Sequence, residues 1–174
     1  MHDDLLAQAE VLAKLDPKRP RQVNLRRAVS AAYYALFHYL VEESCCMQLG
    51  TSHLQTPYRN ALARAFSHTV MRAACTGFGG GTLKDSVAKG LPRNAGGRYQ
   101  VPMDVQALAF MFTELQEMRH RADYDRGERF NRDDVLMLVH NTRRNIAKFA
   151  DLEASDDKRF FLACLWAWKD LANR

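Results

Sequence analysis

Glycine is concentrated in one stretch of this chain. Gly77, Gly79, Gly80, Gly81, Gly90, Gly96 and Gly97 all lie between Thr76 and Val101, leaving only Gly50 and Gly127 elsewhere. Glycine gives up the most backbone freedom when a helix or strand forms, so it weakens either element. Residues 76–101 are therefore expected to be a long loop, and the remainder is free to form regular structure. That remainder shows apolar residues recurring every three or four positions and no convincing alternating run, which is the pattern of helices with one buried face.

The punctuation marks out six helical segments. The first covers roughly Asp3 to Leu15 and ends before Asp16-Pro17. Pro20 suits the first position of the second, which runs to Leu49 and stops at Gly50. Thr56-Pro57 opens a third, reaching about Cys75. Pro102 and Asp104 open a fourth that continues through Tyr124 towards Gly127. Asn131, Asp133 and Asp134 start a fifth, with the stripe Val135, Leu138, Val139, Thr142, Ile146, Phe149. Ser155-Asp156-Asp157 starts a sixth, carrying Phe160, Phe161, Cys164, Leu165 and Trp168. Short connections favour antiparallel neighbours. The expected fold is all-α: an up-and-down bundle of four core helices with additional N- and C-terminal helices and a long Gly-rich basic loop. At 174 residues, the chain is read as one domain over 1–174.

Several function classes recede. No apolar run approaches the roughly 20 residues that cross a bilayer, so no membrane association is expected. Cys45, Cys46, Cys75 and Cys164 show no CxxC or Cys/His spacing, so neither a metal nor another cofactor is implied. Thiols in such a pattern suit a reducing, cytoplasmic setting. Gly77-Phe-Gly-Gly-Gly-Thr-Leu-Lys84 lacks the Gly-Lys-Ser/Thr ending of a phosphate-binding P-loop. The net charge of +5 leans mildly towards anionic partners.

Two constellations carry chemistry. The fourth helix has the stripe Leu108, Met111, Phe112, Leu115, Met118, Ala122, and Arg119 falls inside it or on its edge. A guanidinium placed there is costly unless an anion pairs with it. Asp123, one turn later, is the nearest candidate, either quenching Arg119 or aiming it. His120 pairs with Tyr124 and Arg121 with Asp125 at the same i, i+4 spacing. On the second helix a polar and aromatic face runs Arg27, Ser30, Ala31, Tyr34, His38, Glu42, and Arg27, Tyr34 and His38 are expected to line a groove shared with the fourth helix. The loop adds Lys84, Lys89, Arg93 and Arg98 against Asp85, with Phe78 and Tyr99 available to stack on bases, as in a mobile clamp on a phosphate backbone.

Arg27-Ala-Val-Ser-Ala-Ala-Tyr-Tyr-Ala-Leu-Phe-His38, followed by Arg119-His-Arg-Ala-Asp-Tyr-Asp125, resembles the HEPN superfamily of helical bundles. The likeness covers about 23–149, with 76–101 as an insertion. It implies a bundle that often dimerises, many of whose members are metal-independent RNases of toxin–antitoxin, abortive-infection and CRISPR systems. Their motif is an Arg followed, after four to six residues, by a His. Arg neutralises phosphate charge in the transition state and His moves the proton of the attacking 2′-hydroxyl. Here the positions where that His would fall are Tyr124, Asp125 and Arg126. A phenol, which titrates near about 10, is a poor general base at neutral pH.

The expectation is therefore a HEPN-like protein that binds RNA or a nucleotide, as a homodimer, without the usual catalytic pair. Arg119 holds phosphate, Asp123 orients it, and Tyr124 with His120 bonds the ligand. One alternative is an RNase toxin using Arg119 and a shifted His120, opposed by an antitoxin. Another is a structural partner of a nucleotidyltransferase, modified on Tyr124.

Overall fold

The computed structural model describes residues 1–173, and helix is its dominant secondary structure. The helices are α1 (His2–Lys14), α2 (Gln22–Leu49), α3 (Thr56–Ala63), α4 (His68–Gly79), α5 (Asp85–Ala88), α6 (Met103–Tyr124), α7 (Arg132–Ala150) and α8 (Asp156–Ala172). A single 3-10 turn, His53–Gln55, precedes α3. Among the described residues the only extended pairing is one isolated bridge, Thr82 with Gln100. An all-α fold is thus what the chain adopts.

The residues group into two compact units, 1–39 with 111–148 and 40–110 with 149–174, so α2, α6 and α7 contribute residues to both. In the first unit the predicted stripes are buried. Leu25, Val29, Ala32, Tyr33 and Leu36 of α2, Met111, Phe112 and Leu115 of α6, and Val135, Leu138 and Val139 of α7 lose nearly all contact with solvent. Thr142, on the same face, satisfies its hydroxyl by donating to Leu138 O at 2.8 Å. In the second unit α4 packs on α8, with Phe78 against Phe160, Phe161 and Trp168.

Two sequence expectations need correction. The third segment is not one helix: it breaks after Ala63, and α4 restarts at Ser67, whose hydroxyl accepts from Val70 N. Ser67 is an ordinary N-cap, and such a cap inside an apolar run starts a new helix. The glycine-rich stretch is also more ordered than its composition implies. α4 runs on through Gly77 and Gly79. A Cβ at Gly77 would come within 2.5 Å of the Trp168 ring, so glycine here serves close approach and not flexibility. Beyond α4, Val101 N donates to Gly81 O, while Val87, Ala88, Tyr99 and Val101 are buried.

Helix C-termini expose carbonyls without intrahelical partners, and a cation is well placed to take them. This chain uses that solution repeatedly. Arg132 donates to Ala13 O, Leu15 O, Asp16 O and Pro17 O at the end of α1. Arg26 donates to Ala122 O, Asp125 O and Glu128 O at the end of α6. In the other unit Lys158 donates to Phe149 O and Leu152 O at the end of α7 and pairs with Glu43 at 3.1 Å. A share of the positive charge is therefore committed to holding the fold.

Candidate functional site

Arg119 lies in the last two turns of α6, at the rim of the buried stripe, with its side chain 22 % exposed. Its guanidinium faces the rings of Tyr33 and Tyr34 of α2, at 5.7 and 5.6 Å from their centroids. These aromatic faces stabilise a half-desolvated cation. Arg119 Nη2 donates to the Tyr34 hydroxyl at a long 3.4 Å.

The expected partnership with Asp123 is present. Asp123 Oδ2 lies 2.8 Å from Arg119 Nε, yet that N–H is not directed at the oxygen and makes no hydrogen bond. The contact is electrostatic and engages one edge of the guanidinium. Asp123 Oδ1 is held from the other side by Ser30 Oγ, which donates to it at 2.9 Å. Hence Asp123 is fixed between α2 and α6, and Nη1 of Arg119 has no hydrogen-bond partner among the described residues.

These groups line a cleft of about 650 Å³ in the first unit. Arg26, Arg27 and Arg119 give it three positive charges, set against Asp123 alone, and Tyr34 and Tyr124 contribute ring surface. Arg26 spends its hydrogen bonds on the end of α6, as described above. Arg27 is exposed, and Arg119 is engaged by Asp123 at Nε and by the Tyr34 hydroxyl at Nη2. The arrangement therefore has surplus positive charge, and the exposed Arg27 guanidinium and Nη1 of Arg119 can bond an entering anion.

Not every expected residue joins this cleft. Tyr124 does, at 67 % exposure, with the His120 ring beside its own at 4.9 Å. His120 itself is exposed and does not line the cleft, because one helical step turns it about 100° away from Arg119. His38 also stays outside: it stacks on Tyr34 at 6.3 Å, further along α2. Burial, with the amino-terminal ammonium second, lowers its pKa below the usual imidazole value. Arg121 pairs with Glu128 instead of Asp125. Arg26 was missed by sequence reasoning. Only its position one turn before Ser30 hinted at it, and the carbonyls it serves are about a hundred residues away.

The loop cations fall in the second unit. Lys84, Arg93 and Arg98 surround a separate hollow of about 280 Å³ with Asp85, and Lys89 does not line it. Arg93 Nη1 donates to Gly97 O at 2.9 Å. Phe78 and Tyr99 are unavailable for stacking on a base: both are buried, and the Tyr99 hydroxyl donates to Asp157 Oδ1 at 2.6 Å. Burial and that carboxylate together raise the Tyr99 pKa. An apolar ring flanked by polar loop residues is worth more in the core than in solvent, which is why the loop folds inward on it.

Among the described residues no group of three or more His, Cys, Asp or Glu is placed to hold a metal ion. Among the described residues no helix is long and apolar enough to cross a membrane. No family model matches this chain, and neither the curated proteins nor the solved structures include a significant match.

Proposed function

We propose that this chain is a HEPN-like protein that binds RNA or a nucleotide through the Arg119 cleft, and that it lacks the Arg/His catalytic pair. In this reading it works in the cytoplasm as a homodimer, in a bacterial defence or toxin–antitoxin setting. The observation that carries the proposal is the state of Arg119: a half-buried guanidinium, opened onto a cleft, with one edge against a carboxylate and a second arginine nearby. A cation wholly neutralised in a closed ion pair would repel phosphate. This one retains surplus charge and donors. Catalysis fits less well, since Tyr124, Asp125 and Arg126 occupy the positions for the proton-transferring His and His120 lies outside the cleft.

The test is purified protein with labelled RNA in EDTA, wild type against Arg119→Ala. Retention of RNA without cleavage, weakened about tenfold or more in the variant, is the expected result. Cleavage by wild type that disappears in Arg119→Ala would instead favour the RNase reading with His120. No binding by either protein would end both. The exposure of Tyr124 favours one further reading, modification by a partner nucleotidyltransferase, and a mass shift on Tyr124 that requires the partner would establish it.

A further inference from the structure

Next to the arginine cleft, in the same unit, lies a smaller hollow of about 330 Å³. Leu5, Gln8 and Leu12 of α1 form one side of it, and Ala31 of α2 contributes to the other. Arg27, Ser30 and Tyr34 line both hollows, so the two adjoin along one stretch of α2. Their chemistry differs. The cleft holds three arginines, whereas the smaller hollow has an aliphatic surface, one amide and only the shared Arg27 as a cation.

The leucines have a reason to be there. α1 buries Leu6, Ala9 and Ala13 as its packing face. Leu5 and Leu12 stand beside that face, half-buried, with apolar surface left over. Gln8 lies between them at helical spacing and is exposed. An amide can both donate and accept, so it can read a polar edge of either sense. An apolar shelf with one such group, adjoining a site for phosphate, matches a nucleobase, which has apolar faces and a hydrogen-bonding edge.

We propose that the cleft and the shelf together bind a nucleoside 5′-phosphate unit, free or at an RNA end. Its phosphate meets Arg119 and Arg27, and its base lies on Leu5 and Leu12 with Gln8 at its edge. The proposal rests on the phosphate reading of the cleft and adds to it a base subsite on α1.

Calorimetric titration of the full chain with inorganic phosphate, ribose 5-phosphate and AMP tests both layers. The expected order has AMP tightest, by about tenfold or more over ribose 5-phosphate, since burying a few ring carbons contributes at least that much. Leu12→Gln should remove the AMP advantage and leave phosphate unchanged, while Arg119→Ala should weaken all three. Equal affinity for AMP and ribose 5-phosphate would overturn the shelf and leave the cleft standing. Failure of wild type to bind any of the three would overturn both. Should Leu12→Gln also lower phosphate affinity or thermal stability, Gln8→Leu, at an exposed position outside the packing face, decides the matter: an unchanged AMP affinity there would overturn the base subsite.

Discussion

Ser30 Oγ donates to Asp123 Oδ1 at 2.9 Å, and Asp123 Oδ2 lies 2.8 Å from Arg119 Nε. The hydroxyl on α2 therefore fixes the carboxylate that sits beside the cleft's central cation. Asp123→Asn keeps the shape and the Ser30 contact but removes one negative charge. Anion affinity is expected to rise a few-fold, and its salt dependence to steepen, because a partly desolvated charge at this distance is worth about 1 kcal/mol or more. A titration with inorganic phosphate at two salt concentrations checks this. Weaker binding in the variant would mean that Asp123 matters chiefly for aiming Arg119.

Arg26 and Arg27 are neighbours in sequence with separate tasks. Arg26 closes the end of α6 through four carbonyls, whereas Arg27 is exposed on the cleft wall. Arg26→Met is expected to lower stability by about 2 kcal/mol, the usual range for lost hydrogen bonds to a charged group. Arg27→Met should leave the melting temperature nearly unchanged and weaken phosphate or RNA binding. Thermal melts and titrations on both proteins separate the two roles.

Lys158 is almost wholly buried, with Glu43, two carbonyls at the end of α7 and the face of Phe149 around it. Removing the cation leaves Glu43 without its partner and takes one donor from each of the two carbonyls. Lys158→Ala is expected to cost about 3 kcal/mol, measured by denaturant unfolding. Lys158→Ala with Glu43→Gln should recover part of that loss, since the orphaned charge is then gone.

Stability should also depend on pH through His38. Its folded pKa lies below the ordinary imidazole value of 6.5, burial being the main cause. Below 6.5 the unfolded chain therefore takes up the proton before the folded one does. Stability is expected to be fully present above that value, to fall as pH drops below it, and to level off once the folded form also protonates. His38→Gln should flatten that part of the profile in denaturant melts. An unchanged slope would assign the effect to other groups.

The helices and their faces were legible because periodicity is local. Leu108, Phe112 and Leu115, or Val135, Leu138 and Val139, declare a buried stripe through spacing alone. The break at Ser67 was legible in principle, since serine before an apolar turn is a cap signal, but it lay inside a longer apolar run. Gly77 was misleading for a different reason. Its composition reads as looseness, and only the Trp168 ring, brought over it by α8, shows that the position demands the absence of a side chain. Tyr99 likewise looked free for stacking until Asp157 and the core claimed it.

Of the candidate site, the sequence by itself placed Asp123 within reach of Arg119, because residues four apart on a helix share a face. It equally determined that His120 points elsewhere. The tertiary structure decided which cations remain for a ligand. Arg26 and Arg132 each serve the carbonyls of a helix end remote in sequence from their own positions, while Arg27 and Arg119 face a cleft. Charge is a property of composition, but whether a given charge is already satisfied depends on which distant backbone groups folding brings within hydrogen-bond reach.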